Sequence, residues 1–258
     1  MQSPIDLTSD EIHLWLASYD EIADERLHAA YRELLAPAER EQEPRFYFER
    51  DRRRYLVTRA LVRTVLSKYA AVDPKEWVFS TNAYGRPEIA NPEVRDLTFN
   101  LSHTHHLIVL GVTKRRALGV DVENIRDREA AIAVADHYFA PPEVAALHAT
   151  PEEQQHYRFF EYWTFKESYI KARGMGLSLP LDKFSFHYRD DEAVEIAIAP
   201  ELADQPERWQ FWQFRPEPHY LVAVCAERSA AAPRLTVRKS VPMQSDHECA
   251  LQCLRASA

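Results

Sequence analysis

The chain has 258 residues, 46% hydrophobic and 28% charged, which is the balance of a soluble globular protein long enough to bury one large core or two smaller ones. A formal net charge of −8 argues against nonspecific nucleic-acid binding, which needs a basic surface to neutralise phosphates, and apolar runs such as that at 107–112 are far too short for a membrane span. Cys225, Cys249 and Cys253 contain no Cys-x-x-Cys pair, against a disulfide framework or thiolate zinc site, and the N-terminal MQSPIDLTSDEIH lacks the order of a signal peptide, so the cytoplasm is expected.

Residues 12–19, IHLWLASY, alternate as a strand. A helix is predicted over 24–35, ending before Pro37, and a second over 45–69 with Leu56, Ala60, Val62, Val65 and Leu66 on its buried side. The second helix carries Arg45, Arg50, Arg52, Arg53, Arg54, Arg59 and Arg63. Such density fits a solvated face laced with Glu49 and Asp51, or a face from which one or two guanidinium forks reach an anionic ligand. A short strand at 77–80 leads into a turn at 82–87, NAYGRP, and strands at 97–101 and 107–113 flank Ser102-His103-Thr104-His105-His106. Another strand follows at 117–123, ALGVDVE.

There the pattern starts again. Residues 14–19 (LWLASY) laid over 118–123 (LGVDVE) bring Leu35-Ala36-Pro37 over Phe139-Ala140-Pro141 at the same offset, which indicates two related halves. Ala17 and Tyr19 then stand where the second copy has Asp121 and Glu123, so a single site between the halves is expected. The boundaries follow as 1–115, 116–228 with a metal site, and a poorly ordered or loosely docked tail at 229–258.

Residues 157–184 read as a helix, a glycine turn and a strand. Phe160, Trp163, Glu167 and Lys171 follow at helical spacing, and Gly174 ends the helix as a residue free to take left-handed angles. Glu167 and Lys171 alone also fit an ordinary solvated ion pair. Further strands are predicted near 185–188, 194–199, 208–214 and 220–225.

Asp121 and Glu123, two apart on a strand, leave the same face, and Glu167 offers a third oxygen ligand. Three carboxylates without cysteine point to Mg²⁺ or Mn²⁺, although a solvated strand face carries the same pair. The Ser102-His103 pair at a strand end offers hydroxyl and imidazole donors to a phosphate, and His103, His105 and His106 together could instead ligate zinc. No Gly-x-Ser-x-Gly elbow, P-loop or dinucleotide fingerprint occurs.

FNLSHT (99–104), LGVDVE (118–123) and WTFKESYIKARGMGLSLPL (163–181), with FSTNAYGRP (79–87) as a fourth segment, resemble the Sfp-type 4′-phosphopantetheinyl transferases over about 37–227. The resemblance implies an α+β (α/β) enzyme of two similar subdomains about a pseudo-twofold axis, each a small, mainly antiparallel sheet packed on a long helix, gripping coenzyme A at their junction. It implies transfer of the phosphopantetheine arm to a serine of an apo acyl or peptidyl carrier protein, with release of adenosine 3′,5′-bisphosphate. It further implies Asp121, Glu123 and Glu167 on Mg²⁺, Lys171 and Ser102 on the pyrophosphate, and His103 and Arg54 on the 3′-phosphate. Tyr84, Gly85 and Arg86 would lie along the adenine, and Glu167 would be the general base. Family members often carry lysines where Glu39 and Gln42 stand, so Arg40 or Arg45 would replace them. Arg126, Arg128, Ile132 and Phe139 are the expected docking surface, and a monomer is expected because the repeat supplies both halves. Two other classes compete: a Mg²⁺-dependent pyrophosphate hydrolase using the same carboxylates, and a noncatalytic coenzyme A or carrier-protein binding module.

Overall fold

The computed structural model describes residues 4–126, 132–189 and 192–257. The chain opens with β1 (Glu11–Ser18) and α1 (Glu25–Leu34), the latter capped by Asp24, whose side chain accepts from the Arg26 amide. A short helix not expected from the sequence follows, α2 (Pro37–Gln42), with Pro37 in its first turn, where a missing amide costs nothing. Pro44 then confines 43–45 to a single 3₁₀ turn, so the long helix α3 (Glu49–Leu66) starts four residues later than its pattern predicts. Next come β2 (Phe79–Thr81), β3 (Pro87–Ile89), β4 (Leu97–His103) and β5 (Leu107–Lys114). Trp77, expected to open a strand, is instead buried beside it and donates its indole N–H to Ser67 Oγ at 2.8 Å.

The rest of the chain runs β6 (Leu118–Asn124), α4 (Ile132–Tyr138), α5 (Pro141–Ala149), α6 (Glu152–Arg173), β7 (Phe184–Tyr188), β8 (Val194–Ile198), β9 (Trp209–Arg215) and β10 (Tyr220–Glu227). It ends in β11 (Arg234–Val241), β12 (Ser245–Glu248) and β13 (Gln252–Ala256). The expected tail is therefore three strands. β11 pairs with β1 and β13 with β9, partners far away in sequence that a local pattern in the tail cannot reveal.

Two compact units result, one of Met1–Ser80, Pro87–Arg115 and Ala231–Ala250, the other of Thr81–Arg86, Arg116–Ala230 and Leu251–Ala258. In the first, the sheet order is β12-β11-β1-β5-β4, with β1 parallel to β11 and antiparallel to β5. Helix α3 lies on β1 and β5, burying Leu61, Val65 and Leu66 among Trp15, Ile108 and Leu110. In the second, β13-β9-β10-β6 form an antiparallel sheet covered by α6, and β7 and β8 pair as a separate ribbon. Phe160, Phe165 and Tyr169 of α6 are wholly buried, each worth about 1.5–3 kcal/mol against exposure. The architecture is α+β, as the sequence predicts.

Candidate active site

The second unit builds its site from β6 and α6. Every residue of β6 is buried, and Gly119 shows how near the helix comes: a Cβ there would lie 1.9 Å from the backbone oxygen of Ser168 and 2.4 Å from the amide nitrogen of Ala172. Only glycine permits that approach. Asp121 and Glu123, which share the face of Gly119, are thereby directed to α6. Lys171 donates its Nζ to Asp121 Oδ1 at 2.6 Å, and the indole Nε1 of Trp163 donates to Glu123 Oε1 at 3.0 Å. Asp121 and Glu123 are 4% and 6% exposed, whereas Lys171, Trp163 and Glu167 are half-buried, so the helical row runs from the core at Phe160 toward solvent. Neither Gly119 nor the Trp163 donor was singled out from sequence; the short L-G-V-D run offered the first, since glycine inside a strand marks a close approach.

The end of α6 is fixed just as closely. Gly174 takes φ 66° and its amide returns to Ile170 O and Lys171 O. Its carbonyl accepts from Asn82 Nδ2 at 2.8 Å, while Arg86 donates to Ala172 O at 3.2 Å and Leu118 O at 3.1 Å. The guanidinium of Arg86 thus ties the helix end to the start of β6. Tyr84 beside it is 52% exposed, and Gly85 takes φ 85° in the same turn.

In the first unit, β4 ends with buried Ser102 and exposed His103. The N-terminal turn of α3 reaches the following loop, with Arg50 Nη1 3.0 Å from His105 Nε2. Arg54 pairs with Asp51 at 3.2 Å. Burial raises the phenol pKa of Tyr19, with the His106 backbone hydrogen bond and the Arg54 charge opposing. Arg54, Ser102 and His103 therefore belong to one unit, and Asp121, Glu123, Glu167, Lys171 and Tyr84 to Arg86 belong to the other.

Two residues named from the sequence take other roles. Glu39 turns inward, where its Oε2 accepts from the Ala36 amide at 2.9 Å and pairs with buried Arg63 at 2.7 Å. Phe139 is buried and stacked on Phe159 and Trp163, so it offers no docking surface, and Arg128 lies outside the described residues. Among the described residues no group of three or more histidine, cysteine or acidic side chains is gathered closely enough to hold a metal ion, which applies to Asp121, Glu123 and Glu167 as well as to the histidine run. The three cysteines are free, and no described helix is long and apolar enough to cross a membrane.

Residues 117–225 match the model of the 4′-phosphopantetheinyl transferase superfamily, and residues 22–115 match that of the 4′-phosphopantetheinyl transferase N-terminal region. A 4′-phosphopantetheinyl transferase of Bacillus subtilis is 36% identical over 203 residues, 79% of this chain and 85% of that protein. The transferase HetI of Nostoc sp. is 31% identical over 84% of this chain and 88% of its own length, and Sfp of Bacillus subtilis is 34% identical over 74% and 82%. The two models abut where β5 ends and β6 begins, and together they take in Arg54, Tyr84 to Arg86, Ser102, His103, Asp121, Glu123, Glu167 and Lys171. The chain belongs to the 4′-phosphopantetheinyl transferase superfamily.

Proposed function

We propose that this protein transfers the 4′-phosphopantetheine arm of coenzyme A to a serine of an apo acyl or peptidyl carrier protein and releases adenosine 3′,5′-bisphosphate. The observation that carries this reading is the buried Asp121 held by Lys171 beside Glu123, under the half-buried face of α6 that bears Glu167. A pyrophosphate is the kind of ligand that needs both an ammonium and a hard cation close together.

The donor chemistry fits such a cation. Asp121, Glu123 and Glu167, not gathered into a ligand cluster here, supply only carboxylate oxygens, so once drawn together they would hold Mg²⁺ or Mn²⁺, and such an ion when bound neutralises charge on pyrophosphate oxygens. Lys171 adds a positive charge that stabilises the oxygens as negative charge builds on the leaving side. Ser102 donates its hydroxyl to the pyrophosphate, while His103 and Arg54 meet the 3′-phosphate. Tyr84, Gly85 and Arg86 lie along the adenine. Glu167 takes the proton of the carrier serine as its oxygen attacks the β-phosphorus. One phosphorus–oxygen bond forms to serine, and the bond to the adenosine-bearing phosphate breaks with its electron pair leaving on that phosphate. The enzyme supplies no nucleophile, and a single chain carries every group required.

Intact mass of an apo carrier protein incubated with this protein, coenzyme A and Mg²⁺ tests the reading. A gain of one phosphopantetheine is expected, with loss of about 10²-fold or more in rate for Glu167→Gln and Asp121→Ala. Measurable coenzyme A binding without any mass gain on several unrelated carriers would sink it and leave a binding module. Hydrolysis of coenzyme A without a carrier would favour the pyrophosphate hydrolase.

A further inference from the structure

The loop after β4 holds a residue in an uncommon conformation. His106 takes φ 67°, in the left-handed region that side-chain-bearing residues seldom adopt, and histidine there calls for a compensating contact. Several are present, all within the first unit. The ring of His106 donates from Nδ1 to Asp20 Oδ2 and stacks on Tyr19, with ring centroids 6.4 Å apart at 16°. Its carbonyl accepts the Tyr19 amide at 3.1 Å, and Thr104 N donates to Leu107 O at 2.9 Å to close the hairpin. The end of β1 therefore grips the loop at its most constrained residue, three positions after His103.

We propose that His106 and Asp20 are positioning residues that hold His103, at the end of β4, in register for the 3′-phosphate of coenzyme A, and so set the preference for coenzyme A over its 3′-dephospho form. The proposal rests on the assignment of His103 to the 3′-phosphate given above. The imidazole donor of His103 has little reach of its own, so its aim depends on the loop backbone. Without the Asp20 carboxylate the cost of the left-handed turn is no longer offset locally, and the loop is free to relax toward negative φ. An alanine at 106 would lose the side-chain bond and the ring stack while keeping the penalty of positive φ. Asparagine at 106 tolerates that φ and can still donate, and asparagine at 20 can still accept through its amide oxygen.

The test is steady-state transfer to one apo carrier with coenzyme A and with 3′-dephospho-coenzyme A, using wild type, His106→Ala, His106→Asn, Asp20→Ala, Asp20→Asn and His103→Ala. The expected result is a rise in KM for coenzyme A of about tenfold in both alanine variants at 20 and 106, with kcat within about threefold of wild type. KM for the dephospho form should stay near wild type, and both asparagine variants should recover most of the preference. If His103→Ala erases the preference while His106→Ala and Asp20→Ala keep it, the positioning role is overturned and the phosphate assignment stands. A preference unchanged in His103→Ala overturns the assignment and the proposal together. Equal losses on both substrates in the alanine variants, with lowered thermal midpoints, would make the pair merely structural and likewise overturn it.

Discussion

Lys166 is an ammonium fully withdrawn from water with a partner for each of its protons: Glu143 Oε2 at 2.7 Å, and the carbonyls of Leu181 and Phe184 at 2.8 Å each. Burial pushes the Glu143 carboxyl up and the Lys166 ammonium down, and each opposes the other's neutralisation. Glu143 also accepts the Phe186 amide at 2.9 Å, so this pair joins α5, α6 and β7. Lys166→Met should cost about 3–5 kcal/mol in urea unfolding, because it strands a buried carboxylate, and adding Glu143→Gln should recover part of that. Asp204 works the other way. Burial disfavours its charge, yet hydrogen bonds from Tyr169 Oη, Trp209 Nε1 and the Gln205 amide, with the Arg173 guanidinium, hold its carboxyl below the ordinary 3.8. A lowered folded value contributes stability that is complete above the unfolded value and is lost as pH falls through the folded one. The stability gap between wild type and Asp204→Asn should therefore be constant from pH 7 to about 5 and close below about 4, as read by urea midpoints across that range.

At the level of elements, the two units repeat one device. Helix α2 opens at Ala36-Pro37 with Glu39 accepting the Ala36 amide, and α5 opens at Ala140-Pro141 with Glu143 accepting the Ala140 amide. Glu39 pairs with buried Arg63 of α3, which donates to Pro74 O and Trp77 O at 3.1 and 2.9 Å; Glu143 pairs with buried Lys166 of α6, which donates to two carbonyls as well. The offset that aligns Leu35-Ala36-Pro37 with Phe139-Ala140-Pro141 also aligns the two glutamates. That correspondence was visible in the letters; its content was not, because each glutamate meets a cation far along the chain and a local pattern cannot register the pairing. Helix α6 and strands β4 to β6 were legible for the opposite reason, since periodicity and glycine placement are local properties. The contact of β6 with α6 makes its own prediction. Gly119→Ala would drive a Cβ into backbone atoms that cannot rotate away, so the thermal midpoint should fall by the equivalent of about 3 kcal/mol or more, with transfer activity lost as Asp121 and Glu123 leave the helix.

Across the whole molecule, the segment after β10 is what sequence reading missed most. RLTVRKSV in β11 alternates only weakly and carries Arg238 and Lys239, as strands near a sheet edge often do, so it reads as polar tail until β1 is beside it. β13 is equally dependent on β9, and it carries Arg255, whose Nη1 lies 2.5 Å from Glu161 Oε1 at a site 2% exposed. Arg158 also pairs with Glu161, at 3.1 Å. Ending the chain at 228 should uncover one edge each of β1 and β9 and remove one of the cations facing Glu161. Light scattering and thermal unfolding of that truncation should show aggregation and a lowered midpoint, even though the superfamily match ends at 225.

The pairing of β1 with β11 also sets an order of events during synthesis. β1 leaves the ribosome long before its parallel neighbour, which emerges only after β6 to β10 of the second unit have been made. Until then β1 has β5 on one side and an open row of amides and carbonyls on the other. The first unit is thus begun first and finished nearly last. A nascent chain stalled within β9 or β10 would carry that open edge for as long as the pause lasts, and this window is when capture by a chaperone or by another nascent copy matters most.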